Sequence, residues 1–398
     1  MSASRRRTAG GRSFERRKRA GVSAFALGAL VLGVLATTRA CSWAGEPSTP
    51  KAAPSAASGQ IARDVPRDSA PPRSRGEPAP TANTGASAEL SPWASKDACL
   101  RAVQANRGER GNARVGTWNV RWYPDGGPGK KAATPGTDVA WLACAIALLD
   151  VDVLAVQEFK TLPRARAHTE ELTRELARLT GGRWKAEFDS CPNEATQHVG
   201  LLWNEARAKA SDQRTYGELN PHGEPCKDSL RPGFGAHFRF ANGGSAYVVS
   251  VHFKSGTERR SHELRRASFQ ALEAVRRRAS SVAPHAPLVV AGDFNTMGCS
   301  RCSPSISAEE ERGSFGALLE QADLAWVPSD LGCTGYYRRR GTLLDGFALS
   351  KGRASSGPAQ VSGYCQALSC AKDSGAQAPS AREALSDHCP VVLELSSG

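Results

Sequence analysis

The spacing of apolar and polar residues changes along the chain and divides it into three regions. Residues 1–19 are polar and basic, whereas residues 20–38, AGVSAFALGALVLGVLATT, are apolar and uncharged. A basic stretch followed by an apolar run reads as an export signal. The run is also nearly long enough to cross a bilayer as an uncleaved anchor, with its basic flank cytoplasmic and the body outside. Residues 42–95 are rich in Pro, Ala, Ser and Gly and have no apolar period. Such a segment buries too little surface to offset the entropy of ordering, so a disordered tether is expected. The resulting division is 1–41 as export signal or membrane anchor, 42–96 as linker and 97–398 as the folded domain.

Within the third region the pattern alternates between strand-like and helix-like. Residues 138–149 (DVAWLACAIALL), 164–179, 259–279 and 307–319 predict helices; in 259–279, Leu264, Ala267, Ala271, Leu272 and Val275 share one face and arginines occupy the rest. Apolar runs at 151–156, 184–188, 199–203, 234–240, 246–253, 288–291, 342–349 and 390–395 predict strands, and Trp118-Asn119 closes another short one. Many strands with interspersed helices predict two packed sheets flanked by helices.

Charge and cysteines refine this picture. The net charge is +13, but residues 1–96 carry +9 of it, so the body is only mildly basic. That balance is compatible with a polyanionic substrate without requiring one. Of eleven cysteines, ten lie between Cys99 and Cys389, which suits an exported domain with disulfides. Cys41, the odd one, follows TTRA, where a lipoprotein signal would place its lipidated residue; Ala40 fits that pattern and Arg39 and Thr38 depart from it. Cys299 and Cys302 form a C-x-x-C for which no second ligand pair shows zinc spacing, so a disulfide pinning that loop is expected, with Cys333 as an alternative partner. Cys191 and Cys226 flank 199–203 and can pair across it, Cys365 and Cys370 are near enough to close a small loop, and Cys389 is expected as a free thiol.

Acidic, amide and histidine residues recur where the expected strands end. Glu158 closes VLAVQE, His252 lies in VVSVHF, Asp293 and Asn295 follow LVVAG, Asp345 sits in TLLDGFAL, and Asp387 and His388 precede the last strand. Singly, each has an ordinary reading as a turn, a cap or a solvated strand end. Together they suit one task. Carboxylate oxygens take Mg2+ or Ca2+, a His backed by a carboxylate accepts a proton from water, and Asn or neutral His donates to phosphate oxygens.

The ordered set GTWNVRW, VQE, VHFKSG, GDFN, LLDGF and SDH resembles the endonuclease/exonuclease/phosphatase superfamily. The resemblance implies a four-layer α/β/β/α sandwich of two mixed sheets flanked by helices. It implies that Glu158 is the principal metal ligand, with Asn119 and Asp387 at the same metal, and that the metal is Mg2+, with Mn2+ or Ca2+ as alternatives. By the same resemblance Asp293 and Asn295 orient water and touch the scissile phosphate, Asp345 orients the general base His388, His252 is the phosphate or leaving-group histidine, and Arg231 faces a phosphate. Gln197 stands where pancreatic deoxyribonuclease has a Glu supporting the matching histidine, which leaves His252 neutral and a hydrogen-bond donor. HFKSG resembles secreted bacterial nucleases. With Lys254, Arg231 and the run Arg338-Arg339-Arg340 as phosphate contacts, the expected function is a monomeric, exported or surface-anchored nuclease acting on nucleic acid. A sphingomyelinase-type lipid phosphodiesterase, with Tyr336-Tyr337 as the candidate membrane-entry element, and a non-catalytic surface binding module are the alternatives.

Overall fold

The computed structural model describes residues 91–105, 111–127, 136–192, 197–220, 226, 230–337, 339–352, 355–372 and 380–396. The export segment, Cys41, residues 42–90 of the linker and Arg338 lie outside them. The elements in chain order are α1 (Lys96–Ala105), β1 (Ala113–Tyr123), α2 (Val139–Leu149), β2 (Val153–Phe159), α3 (Pro163–Thr180), β3 (Trp184–Phe188), β4 (His198–Asn204), β5 (Ala208–Tyr216), β6 (Gly233–Phe240), β7 (Ser245–His252), α4 (Arg259–Val282), β8 (Leu288–Asp293) and α5 (Ala308–Gln321). Then follow β9 (Leu324–Trp326), β10 (Gly335–Tyr337), β11 (Arg340–Thr342), β12 (Asp345–Ser350), β13 (Gln360–Val361), α6 (Tyr364–Leu368), α7 (Ser380–Ala384) and β14 (Val391–Leu395).

Two six-stranded sheets stack face to face, in the orders β13-β14-β1-β2-β4-β3 and β5-β6-β7-β8-β12-β9, and β10 and β11 form a separate hairpin. Each sheet has one parallel pair at its centre, β1 with β2 and β7 with β8; the remaining pairs are antiparallel. A parallel pair needs a crossover, and α2 and α4 provide it. One apolar cluster fills the space between the sheets, including Val115, Leu201, Phe238, Val289 and Phe347. A second joins α2 and α3 to the outer face of the first sheet, and a third joins α4 and α5 to the outer face of the other. The result is the expected α/β/β/α sandwich of two mixed sheets.

Central strands are covered on both faces, which is why VLAV, VVSV and LVVAG read as unbroken apolar runs rather than alternations. Helix ends are set by local chemistry. Asp138 caps α2 by accepting from Trp141 N at 2.9 Å, and Ser307 and Glu310 form a reciprocal capping box at the start of α5.

Several expectations need correction. Trp93 is buried and packs edge-on against Trp118 at 6.2 Å between ring centroids, so the folded domain begins before residue 97. The single strand expected over 342–349 is divided between β11 and β12. The buried stripe of α4 runs through Ser261, Arg265, Ser268, Leu272, Val275 and Ala279, so one arginine of that helix points inward. The cysteines pair as 99–144, 191–226, 299–302, 333–370 and 365–389. Cys191–Cys226 and the C-x-x-C bridge match expectation. Cys333 is not in the latter, Cys365 does not pair with Cys370, and Cys389 is not a free thiol.

Candidate active site

The chemistry-bearing residues meet at one edge of the sandwich, where the central parallel strands end. Asp293, the last residue of β8, pairs in register with His252 at the end of β7 and with Asp345 at the start of β12. The other sheet contributes Asn119 from β1 and Glu158 from β2. Both strands have register irregularities there, between Asn119 and Tyr123 and between Val156 and Phe159, and Glu158 has a φ of 66°. Bulges of this kind re-aim side chains next to sites. Gly292 of GDFN is required because a Cβ there would collide with the Val251 carbonyl oxygen.

Hydrogen bonds tie the two halves together. Asn119 Nδ2 donates to Glu158 Oε1 at 3.2 Å and to Asp293 Oδ2 at 3.1 Å, while the backbone N–H of Trp122 donates to Glu158 Oε2 at 3.0 Å. His252 Nε2 lies 3.4 Å from Asp293 Oδ2 and 3.9 Å from Glu158 Oε1. His388 Nδ1 lies 2.8 Å from Asp345 Oδ2, and its Nε2 is 4.0 Å from Asp293 Oδ2. Asn295 is held by its N–H to Asp293 Oδ1 at 2.9 Å and by Nδ2 to the Phe253 carbonyl at 3.1 Å. Glu158, His252, Asp293, Asn295 and His388, with Arg231, Lys254, Asp387 and Gln197, line a cleft of about 640 Å3, and Asn119 and Asp345 are buried behind them. All the expected site residues are therefore brought together. Gln197 makes no hydrogen bond to His252 Nδ1, which is buried without a partner among the described residues.

Crowded buried charge sets the protonation of the site. Burial pushes the Glu158 carboxyl up, with Asp387 adding to the effect, and Arg231, His388 and Asn119 oppose it. Burial and then the neighbouring Asp345 charge push Asp293 up. Burial, assisted by Arg231, His388 and Lys254, holds His252 well below the usual histidine range, so it is neutral at pH 7. Burial alone would also lower His388, but the Asp345 carboxylate outweighs it and holds the imidazole well above that range, with Asp293 and Asp387 contributing. Burial lowers Arg231 and Lys254. A concave cluster of carboxylates whose ionisation is opposed by burial is a fit host for a cation. Two descriptions of that host differ. Asp293, Asp345 and His388 have potential ligand atoms within 4.8 Å of one another, whereas the sequence points to Glu158, Asn119 and Asp387. Asp345 Oδ2 is committed to His388 and Thr334 and its Oδ1 is buried without a partner among the described residues, whereas the carboxylates of Glu158, Asp293 and Asp387 line the cleft and are the better donors.

The sequence did not reveal the supports. Thr334 Oγ1 accepts the N–H groups of Leu344 and Asp345, and donates to Asp345 Oδ2 at 2.8 Å. Ser386 Oγ donates to the Asn119 carbonyl at 2.6 Å and accepts His388 N–H at 3.1 Å. Disulfides bear on both: Cys333 immediately precedes Thr334, Cys389 immediately follows His388, and Cys389 N–H donates to the Thr334 carbonyl at 2.6 Å. On the other side, fully buried Arg265 donates to the carbonyls of Lys254, Gly256 and Gly298 and to Glu311, whose other oxygen accepts Gly298 N–H. This node fixes the HFKSG loop. The position of Cys333 beside Thr334 was visible in the sequence, but nothing in the pattern marked either partner.

The family model described as Endonuclease/Exonuclease/phosphatase family matches residues 116–342, more than half of the chain, and the chain belongs to that family. It is accordingly a hydrolase of phosphoester bonds, of a class that depends on a divalent metal. The matched span holds Asn119 through Asn295 and stops short of Asp345, Asp387 and His388, which the fold itself brings to the site. No curated protein matches the chain. Similar solved structures include an endonuclease/exonuclease/phosphatase from Bacteroides vulgatus (16% identity, 72% of this chain and 98% of that one, TM-score 0.48). The human Nocturnin catalytic domain with bound sulfate anion is another (17%, 72% and 95%, 0.44). A third is D. rerio TDP2 complexed with single strand DNA product (16%, 72% and 99%, 0.47).

Proposed function

We propose that this phosphoesterase is a nuclease that hydrolyses nucleic-acid phosphodiesters by in-line attack of water, and that it works outside the cytoplasm. The observation that carries the chemistry is the Asp345-anchored His388 standing over Asp293 in the cleft that also holds Glu158 and His252. Asp345 fixes the imidazole through Nδ1, which leaves Nε2 to take a proton from water. Asp293, held by Asn119 and by Asn295 N–H, orients that water. The neutral His252 donates to a phosphate oxygen as charge develops, and Asn119, whose two amide hydrogens go to Glu158 and Asp293, holds those carboxylates in place. His388 must be neutral to act. Its raised proton affinity comes partly from Asp293 and Asp387, and that influence weakens once their charge is shared with a cation.

Glu158, Asp293 and Asp387 would hold the cation, with Mg2+ proposed, and Asn119, which donates to Glu158 and Asp293, would orient two of these carboxylates. Held there, a divalent cation would supply polarisation of the phosphate and charge stabilisation of the leaving oxygen. The nuclease reading is supported by a basic margin to the cleft: Arg231 and Lys254 line it, and exposed Arg339 and Arg340 lie in the adjoining β10–β11 hairpin. A lipid phosphodiesterase would present an apolar entry surface. Tyr336 is 4% exposed and donates its hydroxyl to the Ala371 carbonyl, so the pair of tyrosines does not form one.

Export is supported by the disulfides and by the leader pattern. Fractionation tests it: full-length unprocessed protein remaining in the cytosol contradicts export, and Cys41→Ser releases the protein from a membrane only if Cys41 carries a lipid. The test of substrate is a panel of plasmid, single-stranded DNA, RNA, sphingomyelin and inositol phosphates, each with Mg2+ or EDTA. Metal-dependent cleavage of DNA or RNA is expected. Cleavage of sphingomyelin alone would overturn the nuclease reading and leave the site intact.

A further inference from the structure

The β10–β11 hairpin has two unlike faces. In its ladder Tyr336 pairs with Gly341, Tyr337 with Arg340 and Gly335 with Thr342. Directly opposed residues share a face, and alternate pairs point opposite ways. Tyr336 and Gly341 take the packed face. Tyr336 tilts against Tyr364 at 5.6 Å between centroids, and a Cβ on Gly341 would stand 3.2 Å from Cys333 Sγ in the Cys333–Cys370 bridge. The other face carries Gly335, Thr342, Tyr337 and Arg340. Gly335 forms a bridge with His388, and Tyr336 N–H donates to the Asp387 carbonyl at 3.0 Å. The hairpin is therefore mounted rigidly on the segment that bears the base. Tyr337 lines the cleft and is 54% exposed, the one large apolar side chain exposed among the described residues.

We propose that Tyr337 and Arg340 form a subsite for a single strand of nucleic acid, in which the Tyr337 ring stacks on an unpaired base beside the scissile phosphate and Arg340 meets the neighbouring backbone phosphate. The proposal rests on the nuclease reading and adds a strand preference to it. An aromatic ring beside a guanidinium suits any base and any backbone, because every base has a π-face. Within a duplex both faces of a base are covered by its neighbours, so a rigid ring at the cleft gains this contact only from an unstacked base. A rigid mounting means that little side-chain or loop entropy is lost on binding. An exposed ring beside the exposed Arg339 and Arg340 is poorly suited to enter a bilayer.

Steady-state kinetics on labelled oligonucleotides test the subsite, using a single strand, its duplex and a strand in which the flanking nucleotides are abasic. The wild-type protein is expected to prefer the base-bearing single strand over the other two by about tenfold or more in kcat/KM. Tyr337→Ala is expected to abolish that preference through KM, and Tyr337→Phe to keep it. Arg340→Ala is expected to reduce the salt slope by about 0.7 for its lost single-strand phosphate contact. Wild-type cleavage with no preference, or a preference that survives Tyr337→Ala, overturns the subsite and leaves the nuclease reading standing. A wild-type protein that cleaves no nucleic acid overturns both. Tyr337-dependent cleavage of sphingomyelin vesicles would assign the ring to a lipid instead.

Discussion

Asp345 Oδ2 lies 2.8 Å from His388 Nδ1 and receives Thr334 Oγ1 at the same distance, so one carboxylate oxygen anchors the imidazole while being anchored itself. Asp345→Asn keeps the shape and removes the charge. Turnover is expected to fall by at least about 100-fold with the fold intact. The pH dependence should move as well. His388 must be deprotonated to accept a proton, so activity is lost as pH falls through its raised pKa. Asp345 is the main group that raises that pKa, so the acid limb in Asp345→Asn should shift to lower pH. A pH–rate profile with an unmoved limb would contradict this coupling.

The metal site should compete with protons. Burial raises the pKa of Glu158 and Asp293, so the metal-free protein keeps protons there to a higher pH than the unfolded chain does. Such groups remove stability as pH rises toward the folded pKa, and a bound cation offsets the loss. The gain in Tm from saturating MgCl2 should therefore be larger at pH 8 than at pH 5. Equal gains would argue against carboxylate ligation. Glu158→Ala should raise the metal concentration needed for half-maximal activity as well as lower the rate.

Two disulfides should differ in what they support. Cys99–Cys144 joins α1 to α2, whereas Cys365–Cys389 joins α6 to the residue after His388. Removing either pair should cost about 2–5 kcal/mol. Only Cys365→Ala with Cys389→Ala should also lower kcat in protein that remains folded. Equal loss of kcat in both double variants would show that the second bridge does not position the base. Denaturing thiol counts on exported protein should find few free cysteines among the ten; eight or more would rule the oxidised state out.

Much of the architecture was legible because burial writes itself into periodicity. Strands covered on both faces, such as β2, β7 and β8, gave unbroken apolar runs, and the motifs at their ends located Glu158, His252 and Asp293. β5 escaped notice because it is an edge strand whose sequence, AKASDQRTY, is mostly polar and only partly covered. The hairpin was missed because its strands are three residues each, too short to show a period. Thr334, Ser386 and Arg265 act through backbone groups distant in sequence, a relationship that no local pattern encodes. The expected Cys365–Cys370 pairing failed for the same reason: Cys370 is five positions from Cys365 yet bonds Cys333.

The Arg265–Glu311 pair is fully buried, and its guanidinium is shared with three carbonyls of two cleft-lining loops. Arg265→Met would take the buried guanidinium away from those carbonyls and from Glu311, which would keep only Gly298 N–H and His262. Urea unfolding should show a loss of about 3–5 kcal/mol. A loss below about 1 kcal/mol would mean that the loops hold their shape without it.

The central claim is metal-dependent cleavage of nucleic acid with His388 as the base. The most direct measurement compares wild-type protein and His388→Ala on labelled single-stranded DNA and RNA, in Mg2+ and in EDTA, with circular dichroism confirming that both are folded. The account predicts cleavage by wild type in Mg2+, none in EDTA, and a rate at least about 100-fold lower in His388→Ala under the same conditions. Wild-type cleavage that persists in EDTA, or a folded His388→Ala protein that cleaves as fast as wild type, would contradict it.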